Sequence, residues 1–157
     1  MRSSIVRNLV ISVFQLNGRL VETGNLLVDE IGLTTAWWQV LGALGYSSVP
    51  LPVAHIARNM GLSRQAVQRV VDLLAEHGLV RFEANPHHRR AKLVVLTASG
   101  RVTLAEAERI EKPLNQVVFD QVGGERIAEA VKVLTEMNEA IAKAMNARLD
   151  EKNEDSP

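Results

Sequence analysis

Four side chains with forked polar ends fall close together in the middle of the chain: Arg64, Gln65, Gln68 and Arg69. At helical spacing they share one arc of about 140° with Asp72 and Glu76. Ala66, Val67, Val70, Val71, Leu73 and Leu74 fall on the opposite arc. An amphipathic helix alone marks only a surface helix. Here the exposed arc opens with Arg and Gln, whose forks match the edges of guanine and adenine in a major groove. A second cationic group follows closely, with Arg89, Arg90 and Lys92 beside His87 and His88. Such groups reach phosphates or a narrow minor groove. The chemistry these residues suit is recognition of a polyanion.

Charge is distributed accordingly. The chain of 157 residues carries 18 basic and 18 acidic side chains, so a uniformly basic protein is excluded. Residues 58–101 nevertheless hold eight basic and three acidic side chains, a local +5, and residues 102–157 hold seven and twelve, a local −5. A basic middle beside an acidic tail gives a polyanion one place to bind and repels it elsewhere.

The elements that position these groups are legible from periodicity. Ser63 is a good N-cap for the helix over 64–77, which Gly78 ends. Pro52 suits the first turn of a shorter helix over 53–60, and Gly61-Leu62-Ser63 is the turn between the two. After Gly78 the period changes to that of strands over 79–82 and 92–97, joined by the turn Asn85-Pro86-His87-His88. Helix, turn, helix and basic hairpin make a winged helix-turn-helix, so DNA binding is the expected activity. Upstream, Thr34 or Thr35 caps a helix over 36–45. Ile5, Leu9, Val13, Leu16 and Leu20 give a first helix, widened by Val6, Val10 and Phe14 to an apolar face too broad for one small core. Downstream, a helix begins at Thr97 or Ser99, is disturbed near Pro113 and continues toward Phe119. After Gly123-Gly124 a last helix covers 125–149, where Ile127, Leu134 and Ile141 lie seven apart with Ala130, Met137 and Ala144 three residues after each. Both terminal segments are expected to cover each other across a dimer. The expected layout is therefore mainly α with a small β-hairpin wing: residues 1–31 and 100–149 for dimerisation, 33–99 for the winged helix-turn-helix, and a polar, disordered tail over 150–157.

At this level the chain resembles the MarR-type transcriptional regulators. The matching stretches are Gly32-Leu33-Thr34 leading into Trp37-Trp38-Gln39-Val40-Leu41, then Leu51 through Gly61-Leu62-Ser63-Arg64-Gln65-Ala66-Val67, then Val70-Val71-Asp72-Leu73-Leu74 through Gly78-Leu79-Val80. The most specific is Arg89-Arg90-Ala91-Lys92-Leu93-Val94-Val95-Leu96-Thr97-Ala98-Ser99-Gly100. The resemblance implies a homodimer binding double-stranded DNA at a palindromic operator, repressing or activating nearby genes, with a repressor released by a small aromatic anionic ligand as the expected form. It places Ser63, Arg64, Gln65, Gln68 and Arg69 at the major groove, with His87, His88, Arg89, Arg90 and Lys92 on the wing. One departure stands out. The family's wing turn reads Asp-Pro-x-Asp-x-Arg, and here it reads Asn85-Pro86-His87-His88-Arg89-Arg90, with both acids replaced and Arg90 kept.

The remaining candidates are weaker. Trp37 or Trp38 would line a ligand cleft while the other enters the core, since adjacent helical positions diverge by about 100°. Arg19 would neutralise an anionic ligand there, or pair with Glu22. Adjacent His87 and His88 point apart without a carboxylate or thiolate cluster, so no metal and no cofactor is expected. There is no cysteine, which excludes disulfides and thiol redox switching. No catalytic spacing is present, so an enzyme is not expected. Arg7, Gln15, Asn17 and Arg19 interrupt the apolar start, and no run is long enough to span a membrane, so the chain reads as soluble and cytoplasmic. The alternative is a winged-helix scaffold that binds protein and never DNA; the salt dependence of duplex binding separates the two.

Overall fold

The computed structural model describes residues 2–86, 88 and 90–154. The chain divides within its fifth helix into two compact units, at Glu111 and Lys112. Among the described residues no helix is long and apolar enough to cross a membrane.

The first unit opens with α1 (Arg2–Val28), which a 3-10 turn (Asp29–Ile31) closes against Gly32. Gly32 adopts φ +69°, the left-handed conformation that ends helices at low cost. Helix α2 (Thr35–Gly45) starts at Thr34, whose Oγ1 accepts from the Trp37 amide at 3.2 Å. Its anchor to α1 is Thr35, buried and polar. The Thr35 amide donates to Asn25 Oδ1 at 2.8 Å, and its hydroxyl donates to the Val21 carbonyl at 2.9 Å. No buried polar group is left unpaired at this crossing, as a close helix contact requires.

Next come β1 (Leu51–Pro52), α3 (Val53–Met60), α4 (Arg64–Glu76), β2 (Val80–Glu83) and β3 (Leu93–Leu96). The sheet order is β1-β3-β2, antiparallel throughout, with Leu51 opposite Val94 and Val80 opposite Leu96. Strand β1 was not foreseen, because two residues carry no period. Pro52 belongs to it and caps α3 rather than sitting inside its first turn. A proline is tolerated there because β1 is an edge strand. Val28, Val40, Leu41, Ile56, Val67, Val71, Leu74 and Val94 form the most deeply buried part of one core.

Helix α5 (Ala98–Val122) carries Pro113 inside it and continues past Phe119, as expected. Its start explains the Leu-Thr-x-x-Gly run. Thr97 Oγ1 accepts from the Gly100 amide at 3.0 Å and donates to the Gly78 carbonyl at 2.7 Å. Gly100 is buried, and a Cβ there would collide with the Leu79 carbonyl oxygen. One threonine thus caps α5 and ties it to the base of the wing.

In the second unit, Gly123 takes φ +89° and turns the chain into α6 (Gly124–Glu154). Helix α6 passes beyond the expected end at 149, so 150–154 is helical rather than disordered tail, and 155–157 lies outside the described residues. Along α6, Leu134, Ile141, Met145 and Leu149 are exposed in the single chain. On α1, Ile5, Val6, Phe14, Leu16 and Leu20 are exposed as well.

Candidate nucleic-acid interface

Helix α4 is set by its ends. Ser63 Oγ accepts from the Ala66 amide at 3.1 Å, as the N-cap pattern requires. At the other end His77 caps the helix and Gly78 reverses the chain with φ +70°. Val67, Val71 and Leu74 are buried, which turns the Arg64, Gln65 and Arg69 side outward. Two residues depart from the expected inner arc: Ala66 and Leu73 are exposed. The helix uses a narrower stripe than the 140° split implied, because it packs chiefly on α2 and α3 while Leu73 projects past them.

The wing stands beside this helix. The His88 amide donates to the Asn85 carbonyl at 3.3 Å, and the Ala91 amide to the His88 carbonyl at 3.0 Å. Backbone turns therefore shape the described part of the tip despite the loss of the family's acidic residues. Lys92 lies over the Phe82 ring, with Nζ 5.8 Å from its centroid, a cation–π distance. His88 and Arg90 are exposed. His87 and Arg89, also expected to touch DNA, lie outside the described residues.

Between α3, α4 and the wing runs a groove of about 530 Å³. Arg64, Gln68, His88, Arg90 and Lys92 line it, so the structure brings these five expected residues together. Gln65 and Arg69 are exposed on the same helix but outside the groove. Helix α3 adds His55 and Arg58, which sequence reading missed. Their signal was the three-residue step opposite Val53, Ile56 and Ala57, overlooked because only the apolar face of that helix was read. Asp72 is the single carboxylate among the described lining residues, and it accepts from Gln68 Nε2 at 2.8 Å. A groove with Arg58, Arg64, Arg90 and Lys92 against one carboxylate suits a polyanion backbone.

The expected ligand residues are arranged differently. Trp37 and Trp38 are both half-buried against the core, and neither is fully inside it. A broad indole at the rim of a small core covers apolar surface without being enclosed. Arg19 is exposed and makes no ion pair with Glu22. None of the three lines either described groove. A second groove, of about 560 Å³, lies at the other end of α2, with Leu44, Tyr46, Val49, Leu96, Arg101 and Glu108 among its walls. There the Tyr46 hydroxyl donates to Glu108 Oε1 at 2.8 Å. That bond to a carboxylate, with burial and the charges of Glu108 and Glu111, pushes the phenol up to about 12.

A MarR family model matches residues 31–91, from the turn before α2 to the wing. An uncharacterized protein of Mycobacterium tuberculosis is 39% identical over 102 residues, which are 65% of this chain and 70% of that protein. The chain belongs to the MarR family. This MarR-family protein is also 32% identical over 102 residues to the transcriptional activatory protein BadR of Rhodopseudomonas palustris, covering 64% of this chain and 58% of BadR. Its fold matches CouR of Rhodococcus jostii RHA1, bound to p-coumaroyl-CoA, with TM-score 0.74 and 22% identity over 82% of this chain and 90% of CouR. It matches the M. tuberculosis regulator MosR, in complex with DNA, with TM-score 0.69 and 23% identity over 84% of this chain and 96% of MosR. Members of the MarR family are DNA-binding transcriptional regulators and not enzymes, and this chain is one of them.

Proposed function

We propose that this MarR-family regulator is a homodimeric repressor that reads a palindromic operator with α4 and the wing. The observation that carries this is the groove itself: four strong cations and the amide of Gln68 converge where a duplex would lie between helix and hairpin. In the proposed arrangement Ser63, Arg64, Gln65, Gln68 and Arg69 approach the major groove. His87, His88, Arg89, Arg90 and Lys92 meet phosphates or the minor groove, joined by His55 and Arg58. The dimer rests on residues 1–31 and 100–149, whose apolar side chains are exposed in the single chain and would be covered by a second copy. Two copies would present their recognition helices about one helical turn of DNA apart, which gives the operator its palindromy. Such a regulator works in the cytoplasm, where its DNA is.

Release by a small aromatic anionic ligand is part of the same proposal. CouR, a fold match, holds p-coumaroyl-CoA. Arg19, Trp37 and Trp38 remain the proposed ligand contacts, and closure of a dimer is the step that would bring Arg19 toward a shared cleft. Activation in place of repression is the second reading, favoured by the relationship to BadR, a transcriptional activatory protein.

The test is selection of bound fragments from genomic DNA by the full chain, followed by titration of the selected and a mixed-sequence duplex at several salt concentrations. A palindromic motif with a steep salt slope supports the proposal. Absence of any motif, or binding insensitive to salt, sinks it. A promoter carrying the motif, assayed with and without the protein, decides between repression and activation.

A further inference from the structure

Gln68 is the one amide side chain among the described residues of the groove, and its orientation is not free. Its Nε2 donates to Asp72 Oδ1 at 2.8 Å, one helical turn further on. An ionised carboxylate only accepts hydrogen bonds, so the amide must turn its nitrogen toward Asp72. Oε1 and a single remaining N–H are then left for another partner.

Those two groups are what adenine needs. Its major-groove edge offers an N6–H donor and the N7 acceptor, which match one amide oxygen and one N–H. Guanine offers two acceptors, N7 and O6, at the same place. An unconstrained glutamine satisfies guanine by turning its NH₂ group inward and giving one hydrogen to each acceptor. Gln68 has already committed one of those hydrogens to Asp72, and its oxygen would face O6 with no proton between them. The carboxylate thus removes the binding mode that suits guanine and keeps the one that suits adenine.

We propose that Asp72 is a positioning residue for base recognition, holding Gln68 so that it reads adenine and rejects guanine. This rests on the proposed docking of α4 in the major groove and names what one residue of it reads. A second feature fits. Asp72 is the only carboxylate among the described residues of an otherwise cationic groove. A phosphate beside it would be repelled, which leaves the Gln68–Asp72 pair to a base edge rather than the backbone.

The experiment starts from the duplex that the full-length wild-type chain selects from a random pool. Each position of that duplex is then exchanged singly, and affinities are measured for wild type, Gln68→Ala, Asp72→Ala, Asp72→Asn and the Gln68→Ala/Asp72→Ala double variant. Wild type is expected to show one adenine per half-site whose exchange for guanine weakens binding roughly 5- to 150-fold. Gln68→Ala abolishes that ratio. Asp72→Ala collapses it by tightening the guanine duplex more than the adenine duplex; loss of the carboxylate's charge alone would tighten both alike and leave the ratio unchanged. Asp72→Asn gives an intermediate ratio, because its amide can still accept but can also turn round. In the double variant the ratio equals that of Gln68→Ala alone.

An adenine preference lost in Gln68→Ala but fully kept in both Asp72 variants overturns the inference and leaves the docking intact. A Gln68→Ala variant with all preferences unchanged overturns it too. If the wild type selects no sequence at all, the proposed function fails first and this inference with it.

Discussion

Trp37 on α2 meets His77 at the end of α4 edge to face, with ring centroids 4.7 Å apart and planes at 68°. His77 is also fastened to its own helix, its Nδ1 lying 2.8 Å from the Leu73 carbonyl. The aromatic contact therefore links the helix that carries the tryptophan pair to the C-terminus of the helix proposed to read DNA. Edge-to-face pairs contribute about 0.5–1.5 kcal/mol beyond their buried area. Trp37→Ala should destabilise the fold by about 2 kcal/mol, less than the ~3–5 kcal/mol of a fully buried aromatic, because the indole is only half-buried. His77→Ala should cost about 1 kcal/mol. Urea unfolding of both single variants and the double variant at one fixed protein concentration measures the coupling, and strictly additive losses would show that the rings do not interact.

The wing base is held by backbone proximity, which makes Gly100 its least replaceable residue. Gly100→Ala drives a methyl group into the Leu79 carbonyl oxygen, and no rotamer change relieves a collision with backbone. The expected loss is about 3 kcal/mol, at the upper end for overpacking. Thr97→Ala should cost about 1–2 kcal/mol through loss of the α5 cap and of the hydroxyl's bond to the Gly78 carbonyl. Thermal melts give both values; a Gly100→Ala protein as stable as wild type would mean that α5 and β2 can separate freely.

Much of this was readable in advance, and the residues show why. Ser63, Gly61, Gly78 and Gly32 mark helix ends by local backbone chemistry, so α3 and α4 ended within about a residue of expectation. Val67, Val71 and Leu74 gave the inner face of α4 through their spacing alone. What stayed hidden depends on partners distant in sequence. Leu51-Pro52 becomes a strand only because Val94 and Leu93 lie alongside. Thr35 pairs with Asn25 and Val21, ten and fourteen residues away, with no local signature. His55 and Arg58 join the wing cations only when α3 is folded against α4. Pro113 removes one helical donor and disfavours the helix locally, and α5 runs on past it as expected.

The single tyrosine of the chain makes one electrostatic contact directly measurable. Hydrogen bonding to Glu108 holds the Tyr46 phenol up at about 12 against an ordinary 10.0. Raising a folded-state value above the unfolded one contributes stability that is fully present below pH 10 and is lost as pH rises through about 12. Tyrosinate absorbance followed against pH should accordingly have its midpoint near 12, and Glu108→Ala should bring it back toward 10. A wild-type midpoint at 10 would show that the contact does not persist in solution.

The apolar side chains left open on α1 make a prediction about assembly. Phe14 is 71% exposed and Ile5 65%. A contiguous stripe of this kind marks an association surface. Phe14→Glu should convert the proposed dimer into monomer or aggregate, since a carboxylate buried at an apolar interface is costly. Sedimentation at micromolar concentration reads the result directly. A wild-type chain that sediments as a folded monomer would remove the basis for the dimer.

Arg69 and Arg90 should fail in different ways, and the difference separates base reading from charge neutralisation. Arg69 is exposed on α4 outside the groove. In the proposed docking its fork meets a base edge, where a bidentate contact discriminates by about 1–3 kcal/mol. Arg90 lies in the groove on the wing, where the proposed partner is phosphate or the narrow minor groove. Arg69→Ala should therefore weaken binding to the selected operator by that amount and change binding to mixed-sequence duplex little. Arg90→Ala should weaken binding to both duplexes together and lower the slope of log affinity against log salt by about 0.9, the value for one phosphate contact. His88→Gln should do less than Arg90→Ala, because the guanidinium presents a planar fork of donors that an imidazole lacks. Titrations on both duplexes at four or five salt concentrations supply all of these quantities. If Arg69→Ala lowers the salt slope as Arg90→Ala does, Arg69 is a phosphate ligand and sequence is read by Gln65 and Gln68 without it. If Arg90→Ala changes neither duplex, the wing does not touch DNA, and recognition rests on α3 and α4 alone.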